Sequence, residues 1–200
     1  FPFASLTLLS GRSGAGKTSL IDQIILNSID NGYKTFLFSL EMNSGTSANW
    51  MNLIASGRRN LVVRQAQSGK KFYAASPEAK RKIADRYKNM IYSYKDDESN
   101  SVDKVFEAME ACVRRKNCRV CVIDNLMMLD LQSSEAEKNT AQTTLINRLI
   151  RFAKEYNVAI FLVCHLRKSQ GGFDSYGLDE IAGSSNIGNL AMRSITLKRI

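Results

Sequence analysis

Residues Gly11-Arg12-Ser13-Gly14-Ala15-Gly16-Lys17-Thr18 have the G-x-x-x-x-G-K-[ST] spacing of a phosphate-binding loop. Each part has a chemical reason. Glycines let the backbone curl until several N–H groups point inward, and a helix N-terminus directly behind them adds further donors for phosphate oxygens. Lys17 is placed to reach the β- and γ-phosphates, and the Thr18 hydroxyl is a ligand for Mg²⁺. The cradle therefore runs from Gly11 through Ser19. A chance glycine-rich turn is the competing explanation. It fits poorly, because the apolar run Leu6-Thr7-Leu8-Leu9-Ser10 precedes the loop and the helical pattern Leu20, Ile21, Ile24, Ile25 follows it. The residues predict a nucleoside-triphosphate site.

Three further groups stand at the ends of apolar runs. Asp124 follows Val120-Cys121-Val122-Ile123 and fits the carboxylate that holds Mg²⁺, directly or through water, in a triphosphatase. Glu41 follows Thr35-Phe36-Leu37-Phe38-Ser39-Leu40 and is a candidate general base for an attacking water. His165, the only histidine in the chain, follows Val158 to Cys164 and is placed to report whether a γ-phosphate is present. Each has a plainer alternative: a capping Asp, a surface carboxylate, a structural histidine. Cys118-Arg119-Val120-Cys121 has C-x-x-C spacing, but no second pair follows, so the sequence argues against a metal site there.

Positioning these groups requires a particular architecture. Thr35–Leu40, Arg119–Ile123 and Val158–Cys164 are continuous apolar runs, as expected of strands buried on both faces of a parallel sheet. Between them lie helical patterns: residues 19–30 ending at Asn31-Gly32, Ser47–Ser56 stopped at Gly57, a helix opened by Ser76-Pro77 and running to about Asn89, Val102–Val113, and a long helix through Leu145–Phe152 ending near Tyr156-Asn157. Met90–Tyr94 and Ser194–Leu197 read as short strands. Leu131–Asn139 and Arg167–Gly177 read as loops, with a short helical or irregular piece over Leu178–Leu190. The expected fold is α/β, a doubly wound and mostly parallel sheet with helices on both faces. In such sheets the ligand lies beyond the carboxyl ends of the strands, so Gly11, Glu41, Asp124 and His165 would gather around one triphosphate.

The 200 residues suit one α/β domain with a sizeable core, and the ends at Phe1 and Ile200 suggest a piece of a longer chain. No apolar run has the length of a membrane span, and no leader pattern opens the sequence. Four cysteines in such a protein are expected as free thiols. The net charge of +9 is concentrated: eleven basic residues between Arg58 and Lys95 face only Glu78 and Asp85, which accounts for the whole excess. That segment suits a nucleic-acid partner, a solvated helical face or a subunit contact. Phe72 and Tyr73 are its only interleaved aromatic platform.

Taken together, Gly11–Thr18, Ser39-Leu40-Glu41-Met42, Ile123-Asp124-Asn125-Leu126 and Cys164-His165-Leu166-Arg167-Lys168 resemble the RecA-like motor domain of DnaB-type hexameric replicative helicases. The Ile-Asp-Asn-Leu and His-x-Arg-Lys forms are closer to the Twinkle and phage primase-helicase branch. The resemblance implies a RecA-like P-loop fold over residues 1–200. It also implies ATP or another NTP or dNTP with Mg²⁺ as cofactors: Lys17 and Thr18 on the phosphates and metal, Glu41 activating water, Asp124 organising Mg²⁺, and His165 sensing the γ-phosphate. Arg199 would pack on the base. Arg167 and Lys168, with Gly183, Ser184 and Asn186, would contact single-stranded DNA in a central channel. The implied partners are single-stranded DNA, further copies in a hexameric ring, and an attached or associated primase, with no membrane. The implied setting is the cytoplasm of a bacterium or phage-infected cell, with a mitochondrial one kept open. In relatives an arginine finger lies beyond the equivalent of Ile200 and a docking helix precedes the equivalent of Phe1, so these 200 residues alone are expected to hydrolyse ATP poorly and form rings weakly.

The expected activity is thus an ATP-driven DNA helicase motor. A RecA- or RadA-type recombinase would share the site but form filaments. An ATP-dependent loader would bind nucleotide and partner without unwinding. Flanking sequence would separate the first pair. A small-molecule kinase fits worst, since a water-activating Glu41 would waste its ATP.

Overall fold

The computed structural model describes residues 2–40, 44–94, 98–131, 134, 137–166, 188 and 190–198. In chain order they form β1 (Ser5–Gly11), α1 (Lys17–Asp30), β2 (Lys34–Ser39), α2 (Ser44–Ser56), β3 (Leu61–Gln65), β4 (Lys71–Ala75), α3 (Pro77–Arg86), β5 (Ile91–Ser93), α4 (Val102–Lys116), β6 (Cys118–Asp124), α5 (Lys138–Tyr156), β7 (Ala159–His165) and β8 (Arg193–Leu197). Six strands make one sheet in the order β5-β2-β6-β7-β1-β8, with every pairing parallel. The expected doubly wound sheet is present.

Alternation along the strands divides the core in two. Cys121 and Ile123 of β6, with Ile160, Leu162 and Cys164 of β7, face Val105, Phe106 and Met109 of α4 and Leu145, Ile146 and Leu149 of α5. Val120 and Val122, with Phe161 and Val163, face Ile21, Ile24 and Ile25 of α1 and Met51 of α2. Helices therefore cover both faces, which is why the central strands read as unbroken apolar runs. The helix ends follow local rules. Ser76 caps α3, its hydroxyl accepting from Ala79 N–H, with Pro77 in the first turn. Asn117 and Asn157 close α4 and α5 in the left-handed conformation.

The structure departs from the sequence-based expectation in two places. Residues 61–75 form an antiparallel hairpin, β3–β4, outside the main sheet, with Leu61 opposite Ala75 and Gln65 opposite Lys71. Its turn is closed by Ala66 and Gly69, the latter at φ +80°. Helix α5 also begins at Lys138, inside the stretch read as a loop, because its first turns are polar and lack an apolar stripe. The loops proposed over Arg167–Gly177 and most of Leu178–Leu190 lie outside the described residues.

Candidate functional site

The parallel register brings three of the chemically marked strand ends to one edge of the sheet. Gly11 ends β1, Asp124 ends β6 and His165 ends β7. Gly11 is the register partner of His165, and Ser39, the last residue of β2, is the partner of Asp124. Glu41, two residues past the end of β2, lies outside the described residues, as do Arg167, Lys168, Gly183, Ser184, Asn186 and Arg199.

Residues Arg12 to Gly16 connect β1 to α1, and Lys17, Thr18 and Ser19 form the first turn of that helix. Gly14 and Gly16 sit at φ +75° and +91°, a region that strains any residue with a Cβ. A Cβ added at either would meet nothing within 4 Å. Backbone conformation and open space thus coincide, as a loop that wraps a phosphate requires. Gly16 precedes α1 and supplies no side-chain cap, and a helix N-terminus behind a glycine loop is the ordinary setting for a phosphate. Lys17 is buried, and its ammonium donates to the carbonyls of Gly11 at 2.9 Å and Arg12 at 3.0 Å. The cation is thereby folded over its own loop. Gly11 has a different constraint: a Cβ there would come within 2.9 Å of the Leu197 carbonyl on β8.

Asp124 is 2 % exposed and Thr18 half-buried, and both are hard oxygen donors of the kind Mg²⁺ prefers. A second carboxylate lies close to them. Asp22, on the buried stripe of α1, is 3 % exposed, and its pKa is pushed up to about 7 by burial and then by the charge of Asp124. Asp22 was not legible as a functional residue, although an acid in register with Ile21 and Ile25 was a signal. Asn125 is the other residue that sequence reasoning left without a role. It is 1 % exposed, its amide nitrogen stands 3.0 Å from His165 Nε2, and its oxygen accepts from Met127 N–H at 2.9 Å. The peptide joining Asp124 to Asn125 is cis.

The arrangement couples a phosphate cradle, a buried acid and a half-buried imidazole on adjoining strands. The family model described as an AAA domain matches residues 1–171. The chain belongs to that family. The fold of this AAA domain is that of solved DnaB-like helicase motors. One similar structure is a solved ATPase domain, at TM-score 0.75 and 18 % identity over all of this chain and 71 % of that one. Another is a DnaB-like replicative helicase solved for its interactions with primase, at the same score and identity, of which this chain spans 49 %. These are the neighbours that the four motifs lead one to expect, and they establish the RecA-like P-loop fold. Among curated proteins no sequence matches this AAA domain significantly.

Outside this edge, the C-x-x-C stretch does not form a ligand set. Cys121 lies in the core beneath α4 and α5, and burial pushes its thiol up. Cys118 shares a hydrogen bond with Cys112, which together with burial pushes its thiol up as well. Among the described residues no group of three or more His, Cys, Asp or Glu side chains is arranged to hold a metal ion. No helix among them is long and apolar enough to cross a membrane. The basic segment is largely exposed. Beside the hairpin is a cleft of about 620 Å³ lined by Trp50, Leu53, Arg64, Phe72, Tyr73 and Lys80.

Proposed function

We propose that this AAA domain is the ATP-hydrolysing motor of a ring-forming DNA helicase that moves along single-stranded DNA and separates duplex strands. The observation that carries the reading is the meeting of Gly11, Asp124 and His165 at one sheet edge, next to a loop whose Gly14 and Gly16 face open space at positive φ. A hydrolytic site with a sensor needs those parts side by side.

The residues have distinct tasks. The Arg12–Gly16 backbone and the α1 amides hold the phosphates, and Lys17 exchanges its contacts with the Gly11 and Arg12 carbonyls for phosphate oxygens. Thr18 and Asp124 would hold Mg²⁺, which when bound neutralises charge on the β- and γ-oxygens. Glu41 takes a proton from the attacking water, and Arg199 packs on the base. His165 changes partners when the γ-phosphate leaves. Arg167 and Lys168 follow it directly in the chain, so movement of His165 is passed to a segment that contacts single-stranded DNA with Gly183, Ser184 and Asn186. An arginine from a neighbouring copy completes the transition-state charge, so the working form is a ring, with a primase fused or associated.

The test is strand separation by the full-length protein on forked DNA with ATP and Mg²⁺. The wild type is expected to unwind the fork, and Lys17→Ala to lose both hydrolysis and unwinding by at least about 100-fold. A wild type that hydrolyses ATP yet separates no strands would instead indicate a loader or a recombinase.

A further inference from the structure

Asn125 and His165 are forty positions apart in the sequence and touch only because β6 and β7 are neighbours in the sheet. The bond between them has a defined polarity. An amide side chain has one end that only donates and one that only accepts. Asn125 Oδ1 is fixed by Met127 N–H, a backbone donor that an NH₂ group could not satisfy. Nδ2 is therefore the end that faces His165 Nε2. Because NH₂ cannot accept, Nε2 must offer a lone pair, and a neutral imidazole with a lone pair on Nε2 carries its proton on Nδ1.

We propose that Asn125 is a positioning residue for His165: its side-chain amide holds the ring neutral, with the single proton on Nδ1. The β6 end that supplies Asp124 thereby also decides which nitrogen of His165 can donate. Turning the ring over would bring Cε1–H, which cannot accept, to the place of Nε2 and leave the amide donor without its acceptor. Turning the amide would abandon Met127 N–H. Asn125 is buried at 1 % exposure, so water does not readily replace either partner. A phosphate oxygen can only accept, so the hydrogen bond that His165 offers one while this contact stands comes from Nδ1. The tautomer assignment stands by itself; its use in sensing a γ-phosphate rests on the function proposed above.

His165 is the only histidine in the chain, so labelling histidine with ¹⁵N gives one imidazole and no assignment problem. Two-bond ¹H–¹⁵N correlation spectra distinguish the tautomers by which nitrogen is protonated. The wild-type chain is expected to show the Nδ1–H form, whereas a free imidazole in water favours Nε2–H. Asn125→Asp replaces the donor with an acceptor and is expected to bring a proton to Nε2. Asn125→Leu removes the bias and should return the ring to the Nε2–H preference. A wild-type ring protonated on Nε2 overturns the proposal whether or not either variant folds, and so does an Asn125→Asp chain whose ring stays Nδ1–H. In full-length protein, Asn125→Asp is expected to lower the DNA-stimulated part of ATP hydrolysis by roughly 10-fold, by analogy with the lower end of what is lost when the partner that orients a metal-bound imidazole is removed. If the tautomer result holds and DNA stimulation is unchanged, the positioning role stands and the sensor reading falls.

Discussion

The sheet edge at Gly11, Asp124 and His165 and the β3–β4 hairpin both carry charge, and they are built in opposite ways. At the sheet edge the charged and polar groups are few and buried: Lys17, Asp22, Asp124 and Asn125 are each at most 6 % exposed. The hairpin carries Arg64, Lys70 and Lys71 in water, with Phe72 and Tyr73 exposed beside them. Burying a charge costs several kcal/mol unless something compensates, and here Lys17 is held by the Gly11 and Arg12 carbonyls while Asp22 keeps its proton up to about pH 7. Surface cations carry no such cost. The two regions thus differ in how their charges are solvated, and the buried set is the one the proposed function uses.

Asp22 is the acid whose titration reports most strongly on this burial. Its folded pKa of about 7 lies above the ordinary carboxyl value of 3.8. Between those limits the native chain keeps a proton that the unfolded chain has released. Its contribution to stability is therefore complete below about pH 4, declines as pH rises through 7, and is level above that. Asp22→Asn removes the decline and should raise unfolding free energy at pH 8 by about 2 kcal/mol, with little change at pH 4. Urea denaturation at the two pH values checks this. A variant less stable at pH 8 would mean that the Asp22 charge is compensated and the site is not electrostatically loaded.

At the hairpin the expected effects are smaller. Replacing Lys70 and Lys71 together by Ala should change stability by no more than about 0.5 kcal/mol, as is usual for exposed side chains. It should leave DNA-independent ATP hydrolysis unaltered. If the segment meets nucleic acid, the salt dependence of single-stranded DNA binding should lessen by a slope of roughly 1 to 2. A loss of ATP hydrolysis in this variant would erase the distinction between the two regions.

The fold was largely legible from sequence because its strands are buried on both sides. Leu6–Ser10 and Val158–Cys164 leave no periodicity to misread, and Ser76-Pro77 and Gly57 mark helix ends by local chemistry. The hairpin was hidden by its charge, although Leu61-Val62-Val63 and Phe72-Tyr73 flanking Gly69 carry an ordinary hairpin signal. Helix α5 began earlier than expected because Gln142, 1 % exposed, occupies the core-facing position that an apolar residue would have advertised. Within the site, the phosphate loop was fully legible, since its spacing is local. Asp22 and Asn125 were not, because their neighbours come from remote elements: Asp124 of β6 beside Asp22 on α1, and His165 of β7 beside Asn125. Asn125 becomes interpretable only once β6 and β7 are known to adjoin.

The central claim is that these strand ends act as one hydrolytic site whose state is passed on through His165. The most direct measurement is ATP affinity and DNA-stimulated hydrolysis of full-length His165→Ala beside the wild type. ATP affinity is expected to stay within about 3-fold of wild type while DNA stimulation falls by roughly 10-fold or more. Equal loss of both quantities, or loss of neither, would contradict it.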